Sequence, residues 1–526
     1  MTEKRLPAFA TDNDIGWRWI SGRPAYAFVA VVTLVAAILR LLYLGKESLW
    51  GDEAFTVALA SIPLPTMLKL LATDEPNIAL YVLMLRGWLA LGDSEATIRL
   101  LSVVFAAATV PLLYCVARRL AGQPVALLTI LLFAVNAWAI RYAQEARGYT
   151  LWMMLTLASW LFFLRSLERP TRWNLGGYIA ASALGLYAHF FAVMSFVAQW
   201  IAVLLYARRK TPWRPLVASA AAIAVLGAPI VLATRLGYAG QLDWIPPTSF
   251  QTIQVTLYSF CGSVAGGRFA TMLPLLCVTF WAVGFLALSR ESRKSALAAR
   301  NLALIVLGAA LPVAIVFGVS IARPSFVPRY VFQCLPFFSV LVAAGLWRMR
   351  PRWIGAAALL AILCLSLYQD YRYYQFYLRD DWRGVTEYIL SNAKTGDGIV
   401  TYDSPARWPY DYYASNFGSP AARPDLIFPQ WDDEFRVGGL SYPFAFRKSA
   451  GREAVMMRAL DRAASVHPRI WLILYHNEIP AIGTDAGTER LLAALNQHYR
   501  MTAERDFEEI RVLLFERAGN APPPRA

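Results

Sequence analysis

Two carboxylates stand side by side in Ser48-Leu49-Trp50-Gly51-Asp52-Glu53-Ala54-Phe55-Thr56, and only Gly45, Lys46 and Glu47 separate this stretch from a long apolar run, 25–44. Acids so near the end of a membrane span lie at the headgroup layer, where keeping a charge out of water is costly. Such groups pair, bind a cation or do chemistry. Asp52 is the candidate catalytic base, since a carboxylate in a partly apolar crevice can take a proton from a hydroxyl. Glu53 and Glu75 are candidates for contacting substrate or for holding a divalent metal cation through oxygen ligands; either could instead pair with an Arg or Lys. The competing reading is that Asp52 and Glu53 cap the helix that starts there, because acids favour a helix N-terminus.

Two further clusters carry the positive counterpart. In Arg141-Tyr142-Ala143-Gln144-Glu145-Ala146-Arg147-Gly148-Tyr149, Arg147 has the planar fork that matches phosphate oxygens in a bidentate way. Arg141 and Glu145 are candidate substrate contacts beside it, or form with Arg147 an ordinary interfacial salt-bridge patch. In Arg323-Pro324-Ser325-Phe326-Val327-Pro328-Arg329-Tyr330, Arg329 opens an apolar run from the same side, as a ligand for a lipid phosphate with Tyr330 next to it, or as a snorkelling anchor. His189 divides the apolar stretch 175–206 and is a packed interfacial histidine or a ligand. Arg268 and Asp243-Trp244 are weaker candidates. The chain has no phosphate-binding glycine loop, no G-x-S-x-G and no H-E-x-x-H.

The elements that must position these residues are membrane spans. Of 526 residues 57% are hydrophobic and only 16% charged, and several runs reach the roughly 20 apolar residues that cross a bilayer. The expected spans are 25–44, 97–115, 125–140, 149–164, 175–188, 190–206, 216–233, 270–288, 302–321, 327–347 and 354–367, about 11 in all. The net charge of +15 does not indicate nucleic acid, because the arginines cluster in short connections between apolar runs. Every second connection is basic, from Lys4/Arg5 through Arg118/Arg119 to Arg348/Arg350/Arg352, as the positive-inside rule requires of cytoplasmic loops. The same alternation excludes 78–91 as a crossing; this short apolar segment, interrupted by Arg86, reads as an interfacial or re-entrant helix. The five cysteines are widely spaced and give no disulfide framework or metal spacing. The first apolar run lacks a small-x-small cleavage site and reads as a retained anchor.

The expected organisation is a cytoplasmic N-terminus (1–24), a transmembrane catalytic domain (25–369) whose first outer loop (45–96) carries juxtamembrane helices, and an extracytoplasmic domain (370–520). A Pro-rich tail (521–526) reads as disordered. The last domain opens after an aromatic girdle, Tyr368 to Tyr377. In it 399–402, 470–475 and 510–515 read as buried strands and 385–393, 451–464 and 488–498 as helices, which makes it α/β.

Taken in order, Ser48-Leu49-Trp50-Gly51-Asp52-Glu53-Ala54, Gly92-Asp93-Ser94-Glu95, Arg118-Arg119, Arg141-Tyr142-Ala143-Gln144-Glu145-Ala146-Arg147, Tyr187-Ala188-His189-Phe190 and Arg329-Tyr330 resemble the glycosyltransferase family 39-like proteins of the GT-C superfamily. The resemblance covers roughly 25–347; relatives include protein O-mannosyltransferases and the aminoarabinose transferase of lipid A modification. It implies a multi-pass α-helical membrane enzyme of GT-C type in a bacterial inner (cytoplasmic) membrane, with the first outer loop folded over a cavity. It implies a polyprenyl-phosphate sugar donor, a lipid, glycan or protein acceptor, hexosyl or pentosyl transfer with inversion, and Asp52 as the essential acid. One departure is Glu75-Pro76-Asn77-Ile78, where relatives often carry His-Pro-Pro or Lys-Pro-Pro. A transporter or flippase of a polyprenyl-linked lipid, which would bury polar residues mid-membrane and show internal repeats, and a non-catalytic receptor are the alternatives. The transferase reading expects Asp52, Arg147 and Arg329 to meet in one crevice at the outer leaflet.

Overall fold

The computed structural model describes residues 22–73, 75–206, 211–236, 245–401, 406–417, 423–428, 436–437, 440–441, 450–475 and 486–517. Lys4, Arg5, Asp243-Trp244 and the 521–526 tail, all singled out above, lie outside them. The chain divides into two compact units. The first is drawn from Met1–Leu44, Leu71–Gly237 and Leu242–Tyr377, the second from Gly45–Leu70, Tyr238–Gln241 and Leu378–Ala526.

In chain order the helices are α1 (Arg23–Leu41), α2 (Gly51–Ser61), α3 (Leu64–Thr73), α4 (Ala79–Trp88), α5 (Glu95–Ala121), α6 (Gln123–Ala134), α7 (Ala137–Ala143) and α8 (Tyr149–Glu168). They continue with α9 (Arg172–Ala188), α10 (Ala192–Tyr206), α11 (Trp213–Leu236), α12 (Phe250–Phe260), α13 (Met272–Ser292), α14 (Ala296–Ala322), α15 (Leu335–Arg348) and α16 (Arg352–Phe376).

Every apolar run expected to span is helical. Among the described residues eight helices are long and apolar enough to cross a membrane, or nine if α6 and α7, bent by 61°, count as one span. Asn136 makes that bend: its side chain caps α7 through Ala139 N–H and donates to the Phe260 carbonyl. Helices α9 and α10, with 17 and 15 residues, are the short pair flanking His189. The 327–347 run starts as a 3-10 turn, Pro328–Cys334, before α15 takes over with Pro336 in its first turn. The 78–91 segment is a short apolar helix flanked by 3-10 turns.

Lipid tails are as apolar as leucine, so packing shape has to hold membrane helices together. Helices α13 and α15 show how closely. A Cβ on Gly284 would lie 2.0 Å from the Leu341 carbonyl oxygen, and one on Gly345 would lie 1.9 Å from that of Phe280. Only hydrogen fits at either position, so the two backbones touch directly.

The second unit contains α2 and, from α17 (Trp382–Asn392) on, a sheet with helices on both faces. Its strands are β1 (Gly398–Thr401), β2 (Asp425–Phe428), β3 (Arg436–Val437), β4 (Leu440–Ser441), β5 (Arg469–Tyr475), β6 (Tyr499–Phe507) and β7 (Ile510–Arg517); its other helices are α18 (Arg407–Phe417), α19 (Ala450–Val466) and α20 (Ala486–His498). The main sheet runs β2-β1-β5-β7-β6, parallel at β2-β1-β5 and antiparallel at β5-β7-β6. Every residue of the central strand β5 is buried. Its alternation sends Ile470, Leu472 and Leu474 into one core with α19 and α20, and Trp471, Ile473 and Tyr475 into the other with α17 and α18. The expected strands and helices of this domain are therefore present, as an α/β layer.

Candidate functional site: an acidic shoulder and an arginine–histidine cluster

The acidic pair sits in the first turn of α2, which begins behind Trp50 in extended conformation. Neither acid caps the helix, since Trp50 is the N-cap residue and makes no side-chain cap bond, but both carboxylates lie in the first turn, at the positive end of the helix dipole. The two then diverge. Glu53 is fully buried and accepts from Arg379 Nη1 at 3.1 Å, with the Arg379 side chain only 7% exposed. Asp52 is half-buried, and its carbonyl accepts from Thr56 Oγ1.

The segment ahead of Asp52 is gripped by residues from the start of the C-terminal domain. Ser48 Oγ donates to the Asp380 carbonyl at 2.5 Å and accepts from Trp382 N–H. Leu49 N–H donates to Tyr413 Oη at 2.7 Å, and Arg383 donates to the carbonyls of Gly45 and Lys46. Phe55 packs edge-on against Trp408 at 5.4 Å. Asp52 thus stands on a shoulder whose backbone is fixed on both sides.

A metal does not fit this donor set as it stands. Among the described residues no group of three or more His, Cys, Asp or Glu side chains is placed to hold a metal ion, and Glu53 faces a guanidinium. Glu75 is half-buried at the head of the 3-10 turn Pro76–Ile78. No step is derived through a metal.

The first unit assembles the positive cluster. After α7 the chain turns through Gln144 to Gly148. Gln144 Nε2 holds that turn by donating to the carbonyls of Arg40 and Leu42, and Ser102 Oγ, bonded to Tyr81 Oη, donates to the Arg147 carbonyl at 3.4 Å. Gly148 lets the turn come close to the end of α9: a Cβ there would meet the Ala188 carbonyl oxygen at 3.0 Å. Arg147 is thereby set beside His189. Arg329 stands on the 3-10 turn before α15, and its neighbour Tyr330 lies 6.1 Å from the His189 ring between ring centres. Arg141 and Glu145 do something else. They form an i,i+4 ion pair at 3.4 Å with Glu145 buried, and Arg141 lies 4.7 Å over the Tyr377 ring.

His189 is 4% exposed, stacked on Trp152 at 4.3 Å with 19° between the planes. Burial first, and then the positive charges of Arg147 and Arg329, push its imidazole from the usual 6.5 down to about 3. The ring is neutral at physiological pH.

Sequence reasoning missed the residues that hold these groups. Arg379 lay in a charged run after the aromatic girdle with no sign of its partner. Asn77, noted only as a departure, accepts from Phe190 N–H through Oδ1 at 2.7 Å and so fixes the turn at His189. Gln333 Nε2 donates to the Phe191 carbonyl from the turn that carries Arg329. A lone Asn or Gln in an apolar run is the available signal, since a buried amide must be satisfied.

Solved structures agree with this architecture. The chain is similar to ArnT from Cupriavidus metallidurans in the apo state, with TM-score 0.60 and 11% identity over 93% of this chain and 98% of that one. The chain has the GT-C fold. The GT-C chain is also similar to ArnT from the same organism bound to undecaprenyl phosphate (TM-score 0.57, 12% identity, 95% and 100% covered). It is similar too to the oligosaccharyltransferase AglB from Archaeoglobus fulgidus in complex with an inhibitory peptide and a dolichol-phosphate (TM-score 0.55, 9% identity, 96% and 76% covered). Residues 74–233 match the family model described as dolichyl-phosphate-mannose-protein mannosyltransferase. No curated protein matches the chain by sequence. The family match covers 74–233 alone, and the likeness to the solved structures is one of fold.

Proposed function

We propose that this GT-C protein transfers a hexosyl or pentosyl group from a polyprenyl-phosphate donor to an acceptor hydroxyl at the outer face of a bacterial inner membrane. The observation that carries the reading is the pair of guanidiniums, Arg147 and Arg329, acting on one buried neutral ring. Such a cluster suits a phosphate monoester, the leaving group of this reaction. The solved relatives with undecaprenyl phosphate and dolichol-phosphate support the same donor chemistry.

In this reading Asp52 takes the proton of the acceptor hydroxyl as its oxygen attacks the anomeric carbon. The new carbon–oxygen bond forms while the bond to the phosphate oxygen breaks, so a single displacement inverts the centre. Arg147 and Arg329 neutralise the charge that develops on the departing polyprenyl phosphate, which is where preorganised donors lower the barrier most. Arg141, Glu145 and Tyr330 line the donor side, Glu53 fixes Asp52 from behind, and Glu75 contacts substrate near the turn that Asn77 holds. The basic alternate loops support a cytoplasmic N-terminus and a C-terminal domain outside.

Purified chain in proteoliposomes, supplied with a panel of radiolabelled polyprenyl-phosphate sugars, is expected to release polyprenyl phosphate and label an acceptor or water with one sugar. Movement of the intact lipid between leaflets with no cleavage of the sugar–phosphate bond would make the protein a flippase and end the transferase reading.

A further inference from the structure

The basic connections of the first unit do not all use their charge in the same way. Where α13 and α15 stop and α16 begins, Arg348 turns onto Glu291 and donates to both carboxylate oxygens, from Nε at 2.7 Å and from Nη2 at 2.9 Å. That pair ties the end of α13 to the α15–α16 link. Arg293 and Lys294 follow Glu291 closely, Arg350 and Arg352 follow Arg348, and all four are exposed. Among the described residues none of the four makes an ion pair. Asn301 in α14 donates to the Arg119 carbonyl, and Arg119 pairs with Glu168 at 3.9 Å, so the ends of α5 and α8 lie at this side too. The acids described here, Glu168 and Glu291, are both engaged, and the positive charge at 293, 294, 350 and 352 has no counterpart in the chain.

Two of these groups are shaped as well as charged. Arg352 lies 4.5 Å over the Trp347 ring, which fixes the plane of its guanidinium. Among the described residues it makes no hydrogen bond, so its in-plane N–H fork is unspent. Arg350 gives one donor to the neighbouring Met349 carbonyl at 3.1 Å. Trp353 comes next, 69% exposed, and Leu360 and Leu367, one and two heptads on, are 63% and 50% exposed. At 3.6 residues per turn the three share one stripe of α16, which starts at the arginines and rises about 10 Å per heptad. A free phosphate would use the arginines alone, and a hydrocarbon chain the stripe alone. A phospholipid uses both, with the tryptophan at headgroup level.

We infer that the α15–α16 link, with the end of α13, binds the phosphate of an anionic phospholipid of the inner leaflet and lays an acyl chain along Trp353, Leu360 and Leu367. The full length of α15 separates this site from the turn that carries Arg329. The inference rests on the basic connections facing the cytoplasm and not on sugar transfer. The headgroup supplies the negative charge that Glu291 and Glu168 do not, and each lysine or arginine near an anionic surface adds to the attraction.

Native mass spectrometry of the full chain, titrated in detergent with phosphatidylglycerol, is expected to show one tightly retained lipid, and phosphatidylcholine is expected to be held more weakly. R350Q/R352Q is expected to weaken retention of phosphatidylglycerol about 30-fold, as for two charges at an anionic headgroup. R350K/R352K keeps the charge without the planar fork and is expected to fall between that variant and the parent. R169Q/R172Q removes the same charge from the α8–α9 connection and is expected to change retention less than twofold. Unchanged retention in R350Q/R352Q, full retention in R350K/R352K, or an equal loss in R169Q/R172Q would reduce the patch to diffuse attraction and overturn the inference. So would phosphatidylcholine held as tightly as phosphatidylglycerol, or displacement of the lipid by millimolar inorganic phosphate, which would need no acyl stripe. R350C in whole cells is expected to gain no label from a membrane-impermeant maleimide, relative to the parent chain, until the cells are opened; labelling from outside overturns the leaflet. Every arm is read without a sugar donor, so a protein that transfers no sugar can still hold this lipid, and a transferase can fail to.

Discussion

The acidic shoulder and the arginine–histidine cluster handle charge in opposite ways. On the shoulder, the buried Glu53 meets the buried Arg379 inside the protein, and the chain around it is fastened by bonds from Ser48, Leu49 and Arg383. In the cluster, both charged groups acting on the buried ring carry the same sign, and the ring answers by staying neutral. The first sets opposite charges against each other, and the second sets two charges of one sign around a ring that carries none. The comparison separates residues that hold from residues that bind, and it places Asp52, half-buried next to a fully paired Glu53, at the edge of the holding region.

The largest expected effect breaks the comparison at that edge. Asp52→Asn keeps the size of the side chain and removes the base, and transfer is expected to fall by about 1,000-fold or more with no change in thermal stability, since general-base loss and lost orientation multiply. Turnover within tenfold of the wild type would take the role of base from Asp52.

Next comes the shoulder itself. Arg379→Ala leaves Glu53 buried without its guanidinium, and breaking a buried pair from one side costs about 3–5 kcal/mol. Thermal unfolding is expected to show a large drop for this variant, and Glu53→Gln added to it is expected to restore part of the loss. A double variant no more stable than Arg379→Ala would mean that the ion pair is not what holds the shoulder.

The smallest effect sharpens the cluster. The His189 pKa is lowered in the folded protein, so between its folded value of about 3 and the usual 6.5 the unfolded chain binds the extra proton. The contribution of His189 to stability is thus present above about pH 6.5 and is lost as pH falls toward 3. His189→Gln is expected to flatten the fall in melting temperature between pH 7 and pH 5. An identical fall in both proteins would show that the ring is not held neutral.

Much of this architecture was legible because its signals are local. Each long apolar run became a helix, and Ile470 to Tyr475, apolar on both faces, became the central strand. His189 was harder. The runs on either side are equally apolar, so periodicity could not separate a turn from a break, and the answer lies in Asn77 and Gln333, which bond the turn from elsewhere in the chain. The partner of Glu53 was not legible at all, because 326 residues separate it from Arg379. Strand β6 was missed for a different reason: most of its residues are exposed, and its place in the sheet comes from pairing with β7. Arg141 and Glu145 form an ion pair with each other, a contact compatible with both of the readings offered for them.

The contact between Gly284 and Gly345 constrains how this membrane bundle can move. Two main chains that touch with no side chain between them have nothing to repack, so sliding or parting would open a void that lipid could fill only poorly. The two helices therefore travel as one plank. Any opening between helices of the bundle must form along ones with bulkier, more yielding contacts.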